Sequence, residues 1–194
     1  MNAEVIVADA HAWHTWLSEH HQANDGIWLV LAKKNVTTPT SLTYDQALDE
    51  ALCHGWIDGQ RKGRDDRTFV QRFTPRRARS LWSKRNVGII ARLESEGRMV
   101  AAGREQVERA KADGRWDKAY GGSSELEVPV DLTEALAAVP RAQAMFDILT
   151  SSNRFAVVYR VTSPKRADTR ARRIAQIVEQ LARGETIYPQ KRTL

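Results

Sequence analysis

The sequence has very little of several features that define common protein classes. Among its 194 residues there is a single cysteine, Cys53, so no internal disulfide can form and a disulfide-stabilised fold is excluded. No run approaches the roughly 18 consecutive apolar residues of a membrane-spanning helix, since the longest covers Ile27–Ala32. The N-terminal residues also lack the basic and apolar regions of a secretory signal. We therefore expect a soluble protein of the cytoplasm.

Several catalytic and cofactor motifs are missing as well. The sequence has no glycine-rich phosphate loop, no dinucleotide-binding fingerprint and no GxSxG nucleophile elbow. These absences disfavour the common nucleotide-hydrolysing and serine-hydrolase classes, and we predict no cofactor. The histidines at positions 11, 14, 20 and 21 are not followed by a third ligand at zinc-like spacing. We predict structural or surface roles for them and no metal site.

Basic charge, by contrast, is abundant and concentrated in two segments. The net charge is +6, yet residues 1–59 carry two lysines against eight acidic residues. Residues 60–92 carry eleven Lys or Arg against two Asp, and residues 159–173 carry six against one. This clustering predicts localised positive potential, which attracts anionic partners.

The apolar pattern predicts an α+β fold that is mainly α-helical. The apolar run Ile27–Ala32 is typical of a buried strand, and residues 56–73 are typical of an irregular hairpin. Asp9, Thr43 and Ser83 are predicted helix N-caps. We predict about six to seven helices with a small three-stranded sheet or hairpin. The length suits one domain over residues 1–194, with a possible internal linker at 119–127.

The densest set of hydrogen-bond donors lies between Phe73 and Asn86. Guanidinium groups match phosphate and carboxylate geometry, and the free amides at a helix start attract anions. The indole of Trp82 can stack on a base or on an arginine. With a second basic run after Ser163, these residues predict one ligand-binding set. Its members are Trp56, Arg76, Arg77, Arg79, Ser80, Trp82, Ser83, Lys84, Lys165, Arg166, Arg170 and Arg173. The alternative is a solvated basic loop in which Trp82 anchors the core.

A thiol, an imidazole and a carboxylate lie close together at the predicted end of the second helix. His54 and Asp58 have the residue types of a general base and its orienting partner. Cys53 is a nucleophile only where its thiolate is stabilised. The alternative is that Cys53 packs as a small apolar residue and that Asp58 holds a turn.

An ordered set of motifs resembles the YdeI/OmpD-associated, or bacteriocin-protection, family. The motifs, spread from about residue 26 to 184, are Ile27–Val30 with Lys33 and Lys34, Leu42–Ala47, Ala51–Asp58, Phe73–Ser83, Gly97–Met99, Ala110–Trp116, Val128–Leu132 and Lys165–Ile174. The sequence departs from the family pattern at His54, where an aromatic or aliphatic residue is expected. The resemblance implies a part in tolerance to bacteriocins or antimicrobial peptides and assigns no catalytic residues.

Three functional hypotheses follow. The first, which we prefer, is a non-enzymatic cytoplasmic protein that binds an anionic partner, which is a nucleic acid, a phosphorylated metabolite or an acidic protein. The second is an enzyme that acts on a small anionic substrate and uses His54 and Asp58 for proton transfer. The third is a resistance factor that binds another protein through exposed tryptophans.

Overall fold

The chain forms two compact units, Met1–Tyr120 and Gly121–Leu194. The computed structural model describes residues 4–22, 25–122 and 127–194. The sequence suggested an internal linker at 119–127, and residues 123–126 of that segment lie outside the described residues. Each unit contains its own cluster of buried apolar side chains.

The first unit combines a four-stranded sheet with four helices. Its elements are β1 (Glu4–Val5), α1 (Ala10–His20), β2 (Ile27–Ala32), α2 (Tyr44–Cys53), β3 (Trp56–Gly63), β4 (Thr68–Pro75), α3 (Lys84–Ser95) and α4 (Ala101–Ala112). The second unit is helical in its described residues. Its elements are α5 (Val130–Ala137), α6 (Pro140–Asp147), α7 (Ser151–Thr162) and α8 (Ala167–Ala182).

The sheet has the order β1-β2-β4-β3, in which β1 runs parallel to β2 and the other pairs are antiparallel. In the central pair Leu31 lies opposite Phe69, and Ile27 lies opposite Phe73. Because side chains alternate between the two faces of a strand, these residues share one face, and they belong to the core of the unit. The edge strand β3 has an irregularity between Asp58 and Arg61.

Three predicted helix starts are confirmed by their hydrogen bonds. Asp9 accepts from the amide of Ala12 at 2.9 Å, and Ser83 accepts from the amide of Asn86 at 3.1 Å. Thr43 and the residue three positions later form the complete reciprocal capping box. These caps satisfy amides that have no partner inside the helix, which explains why the sequence marks the helix starts so well.

The predicted α+β, mainly helical class is confirmed, but the predicted numbers of elements are wrong. The described residues contain eight helices rather than six to seven, and four strands rather than three. The fourth strand, β1, has only two residues, too few for an alternating pattern. The helices α5 and α6 have eight residues each, so their periodic signal is weak.

The second unit buries its apolar residues between α8 and the three shorter helices. Ile174, Ile177, Val178 and Leu181 form the buried stripe of α8, with the spacing of an amphipathic helix. They belong to one apolar cluster with residues of α5, α6 and α7. Among the described residues, no helix is long and apolar enough to cross a membrane.

Candidate functional site

The chain that leaves β4 forms a compact turn, residues 76–83, which we call the basic turn. The amide of Arg76 donates to the carbonyl of Gly55 at 2.9 Å. The amide of Ser80 donates to the carbonyl of Arg77 at 2.9 Å, and the hydroxyl of Ser80 accepts from the amide of Arg77 at the same distance. Arg115 donates to the carbonyl of Ser80 at 2.7 Å. The serine hydroxyls at 80 and 83 therefore hold the turn and the start of α3.

The guanidinium of Arg76 is buried without a carboxylate partner. Arg76 is 7% exposed, and its Cζ lies 3.5 Å from the centroid of the Trp82 ring. One nitrogen donates to the carbonyl of Leu81 at 3.1 Å. Burial is the main cause that lowers the pKa of Arg76 to about 10. Within the described part of the chain, no carboxylate forms an ion pair with this guanidinium.

Two buried donors at this place have no acceptor in the described part of the chain. They are Nε of Arg76 and Nε1 of the indole stacked on it, Trp82. A buried N–H group without a partner costs about 1–3 kcal/mol, and more when it is charged. An unpaired buried cation beside an unpaired indole N–H therefore lowers the stability of the folded protein. This makes the turn a candidate binding site.

The remaining cations of the basic turn face solvent. Arg77 and Arg79 are exposed, and neither side chain forms an ion pair or a hydrogen bond with another described residue. Lys84, the first residue of α3, is also exposed. The first turn of α3 contains no acidic residue, so the positive end of its dipole is not neutralised from within the helix.

The tryptophans of the predicted set do not lie on the surface. Trp56 and Trp82 are 1% and 2% exposed and belong to the apolar core of the first unit. The indole of Trp56 donates to the carbonyl of His21 at 3.2 Å. Trp82 is enclosed and stacked on Arg76, which agrees with the two alternatives of a core anchor and of stacking on an arginine and leaves no free ring for a base. The same burial removes both residues as exposed anchors for a protein partner.

The candidate catalytic residues do not form the predicted pair. Asp58 accepts a hydrogen bond from the hydroxyl of Tyr44 at 2.8 Å, whereas His54 contacts the carbonyl of Glu50 at 3.0 Å and Ser18 at 3.3 Å. Burial, together with Asp58, raises the pKa of Tyr44 to about 12. The hypothesis of an enzyme that uses a His54–Asp58 pair thus loses the contact on which it depended.

Cys53 does not have the surroundings of a nucleophile. It is fully buried in the core of the first unit. Burial is the main cause that raises its pKa to about 12. The thiol is therefore protonated at neutral pH, and the residue packs as a small apolar group.

The second basic run lies in the other unit, and most of its arginines are engaged there. Arg166 pairs with Asp168 at 2.9 Å and Arg170 with Asp131 at 2.7 Å. Arg173 donates to the carbonyl of Arg160 at 2.9 Å and to a serine hydroxyl. These contacts neutralise or occupy three of the predicted cations. Lys165 is exposed, with no partner among the described residues.

A second polar cluster, which the sequence analysis did not predict, lies between α1 and α2. His14 Nδ1 lies 2.8 Å from a carboxylate oxygen of Glu50, and the rings of His14 and His54 have centroids 4.8 Å apart. The other oxygen of Glu50 accepts from Arg98 at 2.5 Å. Burial is the main cause that lowers the pKa of His54. We call His14, Glu50 and His54 the histidine–glutamate cluster.

Comparison with known proteins distinguishes the two parts of the chain. Residues 5–106 match the family model described as "Domain of unknown function (DUF8412)", which covers just over half of the chain. Residues 125–184 match the model described as "Bacteriocin-protection, YdeI or OmpD-Associated". No curated protein matches the chain, and no solved structure matches it.

The second match confirms the resemblance inferred from the motifs, over a narrower region than the 26–184 across which the motifs were spread. The second match lies entirely in the helical second unit. The basic turn falls within the first match. The chain therefore belongs to the DUF8412 family through its N-terminal half, and its residues 125–184 match the bacteriocin-protection, YdeI or OmpD-associated model.

Proposed function

We propose that this chain is a non-enzymatic cytoplasmic protein that binds a phosphate-bearing anionic ligand at the basic turn, with nucleic acid as the ligand that the geometry supports best. The observation that carries the proposal is the buried, unpaired guanidinium of Arg76. It lies beside a second unpaired donor, the indole N–H of Trp82. An anion bound at the turn would supply the direct negative partner that Arg76 lacks among the described residues, since Asp58 acts on it only through space.

The energetic reason is the cost of removing a cation from water. A buried charge without a partner is strongly unfavourable, and a single partner removed from a buried pair typically costs about 3–5 kcal/mol. The field of such a cation is also less screened than that of a surface charge. The electrostatic attraction between Arg76 and an anion near the turn is therefore stronger than that of an equivalent arginine in solvent.

The exposed cations supply the direct contacts. Arg77 and Arg79 lie in the same turn with their side chains in solvent. From residue 67 to residue 93 the sequence contains eight Lys or Arg and no Asp or Glu. Guanidinium groups donate two parallel hydrogen bonds to a phosphate, so this stretch suits a ligand with several phosphate groups.

The β-hairpin that precedes the turn carries two further exposed cations. Arg61 lies over the ring of Phe69 at 3.8 Å, and Lys62 lies over the ring of Trp28 at 4.1 Å. Both are exposed, and neither forms an ion pair among the described residues. Arg61 pairs with Gln71 of β4, so these cations lie apart from the basic turn along the hairpin. A polyanion as long as a nucleic acid can contact separated cations at several points at once.

A role in tolerance to bacteriocins or antimicrobial peptides is supported by the C-terminal domain match. Antimicrobial peptides are commonly rich in lysine and arginine, so a basic surface does not suit direct capture of such a peptide. We infer that any protective effect runs through an anionic component of the cell that the basic turn binds.

The proposal is tested with labelled single-stranded and double-stranded oligonucleotides titrated with the full chain. In the double variant Arg77→Ala/Arg79→Ala we expect affinity to fall by about tenfold at low salt, because two phosphate contacts are lost. Fluorescence anisotropy measures the change. Pyrophosphate added to the titration distinguishes the ligand classes, since a site for small phosphorylated molecules is blocked at low pyrophosphate concentrations and a nucleic-acid surface is not.

The matched control removes two exposed arginines that already have carboxylate partners. Arg109 pairs with Glu105, and Arg183 pairs with Glu179 and Glu185. The variant Arg109→Ala/Arg183→Ala has the same change in net charge. If both double variants lost the same affinity, the change in net charge alone would explain the effect. That result would contradict a specific site at the turn.

A further inference from the structure

We propose that the histidine–glutamate cluster is a binding site for a divalent transition metal of the zinc class, with His14, Glu50 and His54 as its protein ligands. One ligand atom from each of the three residues lies within 4.8 Å of the other two. Two imidazoles and one carboxylate form a ligand set that proteins use for zinc and for non-haem iron. This site is separate from the basic turn and does not depend on the anion-binding proposal.

The three ligands come from two packed helices. His14 lies on α1, Glu50 lies on α2, and His54 follows the last residue of α2. The ligand atoms of a tetrahedral zinc site lie roughly 3.3 Å apart, because each bond is about 2.0–2.2 Å long. The contact of 2.8 Å between His14 and Glu50 already falls below that spacing. Side-chain rotations that move the ligand atoms by about 1 Å are enough to bring the three groups around one ion.

His54 has the hydrogen bonding of a metal ligand. Its Nδ1 lies 3.0 Å from the carbonyl of Glu50, so this nitrogen carries the proton and donates it, and Nε2 keeps its lone pair. Metal-binding histidines almost always donate their other ring N–H in this way. His54 is 3% exposed, and such a buried lone pair requires a partner.

Ser18 does not fully supply that partner. Its hydroxyl lies 3.3 Å from Nε2 of His54, but the same hydroxyl donates to the carbonyl of His14 at the shorter distance of 2.9 Å. A serine hydroxyl has only one proton to donate. Nε2 of His54 is therefore an available ligand, and a metal ion satisfies it better than a shared hydroxyl.

The charges around the cluster leave room for a cation. Arg98 contacts Glu50 at 2.5 Å and also approaches Asp49 and Glu96, and Arg92 pairs with the last two. Three carboxylates thus face two guanidinium groups, which leaves one negative charge. Arg98 binds one oxygen of Glu50, and the other oxygen lies 2.8 Å from Nδ1 of His14, so a metal ion would take the place of the proton in that contact.

Cavities reach the cluster from two sides. One of about 600 Å³ is lined by His54 and Ser18, and another of about 470 Å³ is lined by His14, Glu50 and Arg98. Three protein ligands leave at least one coordination position to water or to another ligand. The cavities supply both the entry path and the space for it.

The test is calorimetric titration of the untagged, chelator-treated full chain with Zn²⁺, and with Co²⁺ as a spectroscopic probe. We expect one saturable Zn²⁺ site per chain and the strong visible absorption of a tetrahedral cobalt site. Mg²⁺ should not compete, because it prefers oxygen ligands. Replacement of one ligand, in His14→Ala or His54→Gln, should weaken Zn²⁺ binding by about tenfold or more.

His20→Ala is the matched control, because His20 lies on α1 outside the cluster and lines neither cavity. It should leave the affinity unchanged. The side chain of His14 is 41% exposed, so His14→Ala should fold even where His54→Gln does not. The proposal is overturned by the absence of a saturable site, by full affinity in His14→Ala, or by a loss of binding in His20→Ala equal to that in His14→Ala.

Discussion

Gly103→Ala is expected to destabilise the first unit by about 3 kcal/mol or more, although alanine is the better helix former. A Cβ added at this position of α4 would lie 2.2 Å from the carbonyl oxygen of Cys53 and 2.8 Å from that of Leu52. Both are backbone atoms at the end of α2, and real Cβ atoms essentially never approach closer than 3.0 Å. The two helices must therefore separate, which opens the core beneath His54. Thermal and denaturant unfolding measure the loss.

Gly88→Ala provides the control for Gly103→Ala. Gly88 lies inside α3, and an added Cβ would meet nothing within 4 Å. Alanine there should stabilise the protein by about 0.5–1 kcal/mol, because it loses less backbone freedom on folding. The two substitutions are chemically identical, so opposite signs isolate the close contact of α2 with α4. Gly103→Ala with the stability of Gly88→Ala would contradict that contact.

Arg76→Met should make the protein more stable and a poorer binder at the same time. Methionine keeps the apolar stem against Trp82 and removes the buried, unpaired charge. Replacement of a buried ion pair by apolar residues of similar size is often neutral or stabilises a protein by about 1–4 kcal/mol, and Arg76 lacks even the attraction of such a partner. The lost cation–π contact offsets part of this gain, so we expect about 1–2 kcal/mol and a rise in Tm of several degrees. Calorimetry and oligonucleotide binding measure the two effects.

The pH dependence of the Arg76 effect follows from the sign of its pKa shift. The folded-state pKa is lowered from 12.5 to about 10, so the folded protein binds this proton less tightly than the unfolded chain does. The destabilisation is therefore fully present below pH 10 and is relieved only as pH rises from there towards 12.5. The gain in Arg76→Met should accordingly be the same at pH 6 and at pH 8, within about 0.5 kcal/mol.

Arg79→Met is the matched control for Arg76→Met, because Arg79 is exposed. It should weaken nucleic-acid binding and leave Tm nearly unchanged, since surface substitutions usually alter stability by less than about 0.5 kcal/mol. A fall in Tm for Arg76→Met would mean that the guanidinium stabilises the turn. In that case its burial would be structural and would not indicate a ligand.

Local features of the fold were predictable from the sequence because they depend on neighbouring residues. The caps at Asp9, Thr43 and Ser83 satisfy amides only three positions away, and β2 is a continuous apolar run. The strand β1 was missed, because two residues carry no pattern and only their pairing with β2 defines them.

The roles of the tryptophans were harder to predict. An indole beside several arginines in the sequence is compatible with a stacking platform and with a core anchor, and burial alone distinguishes the two. The core position of Trp82 depends on contacts with distant residues such as Trp116, whose ring centroid lies 4.9 Å away. No spacing rule connects two residues 34 positions apart.

The polar clusters differ from the sequence expectation for the same reason. His14 and Glu50 are 36 residues apart, as are Ser18 and His54, so a search for ligands at short spacing could not find the cluster. The pair of Arg170 with Asp131 spans 39 residues, and it neutralises a cation that looked available in the sequence. Charge counts predict where basic residues are dense but do not predict which of them keep a free guanidinium.

The most direct test of anion binding at the basic turn is the salt dependence of the wild-type affinity for a DNA duplex. With about four phosphate contacts, the logarithm of the association constant should fall with the logarithm of salt concentration at a slope of about −3 to −4. This corresponds to a loss of about a hundredfold between 50 and 200 mM salt. No measurable binding at 50 mM salt, or an affinity that does not change across this range, would contradict the proposed function.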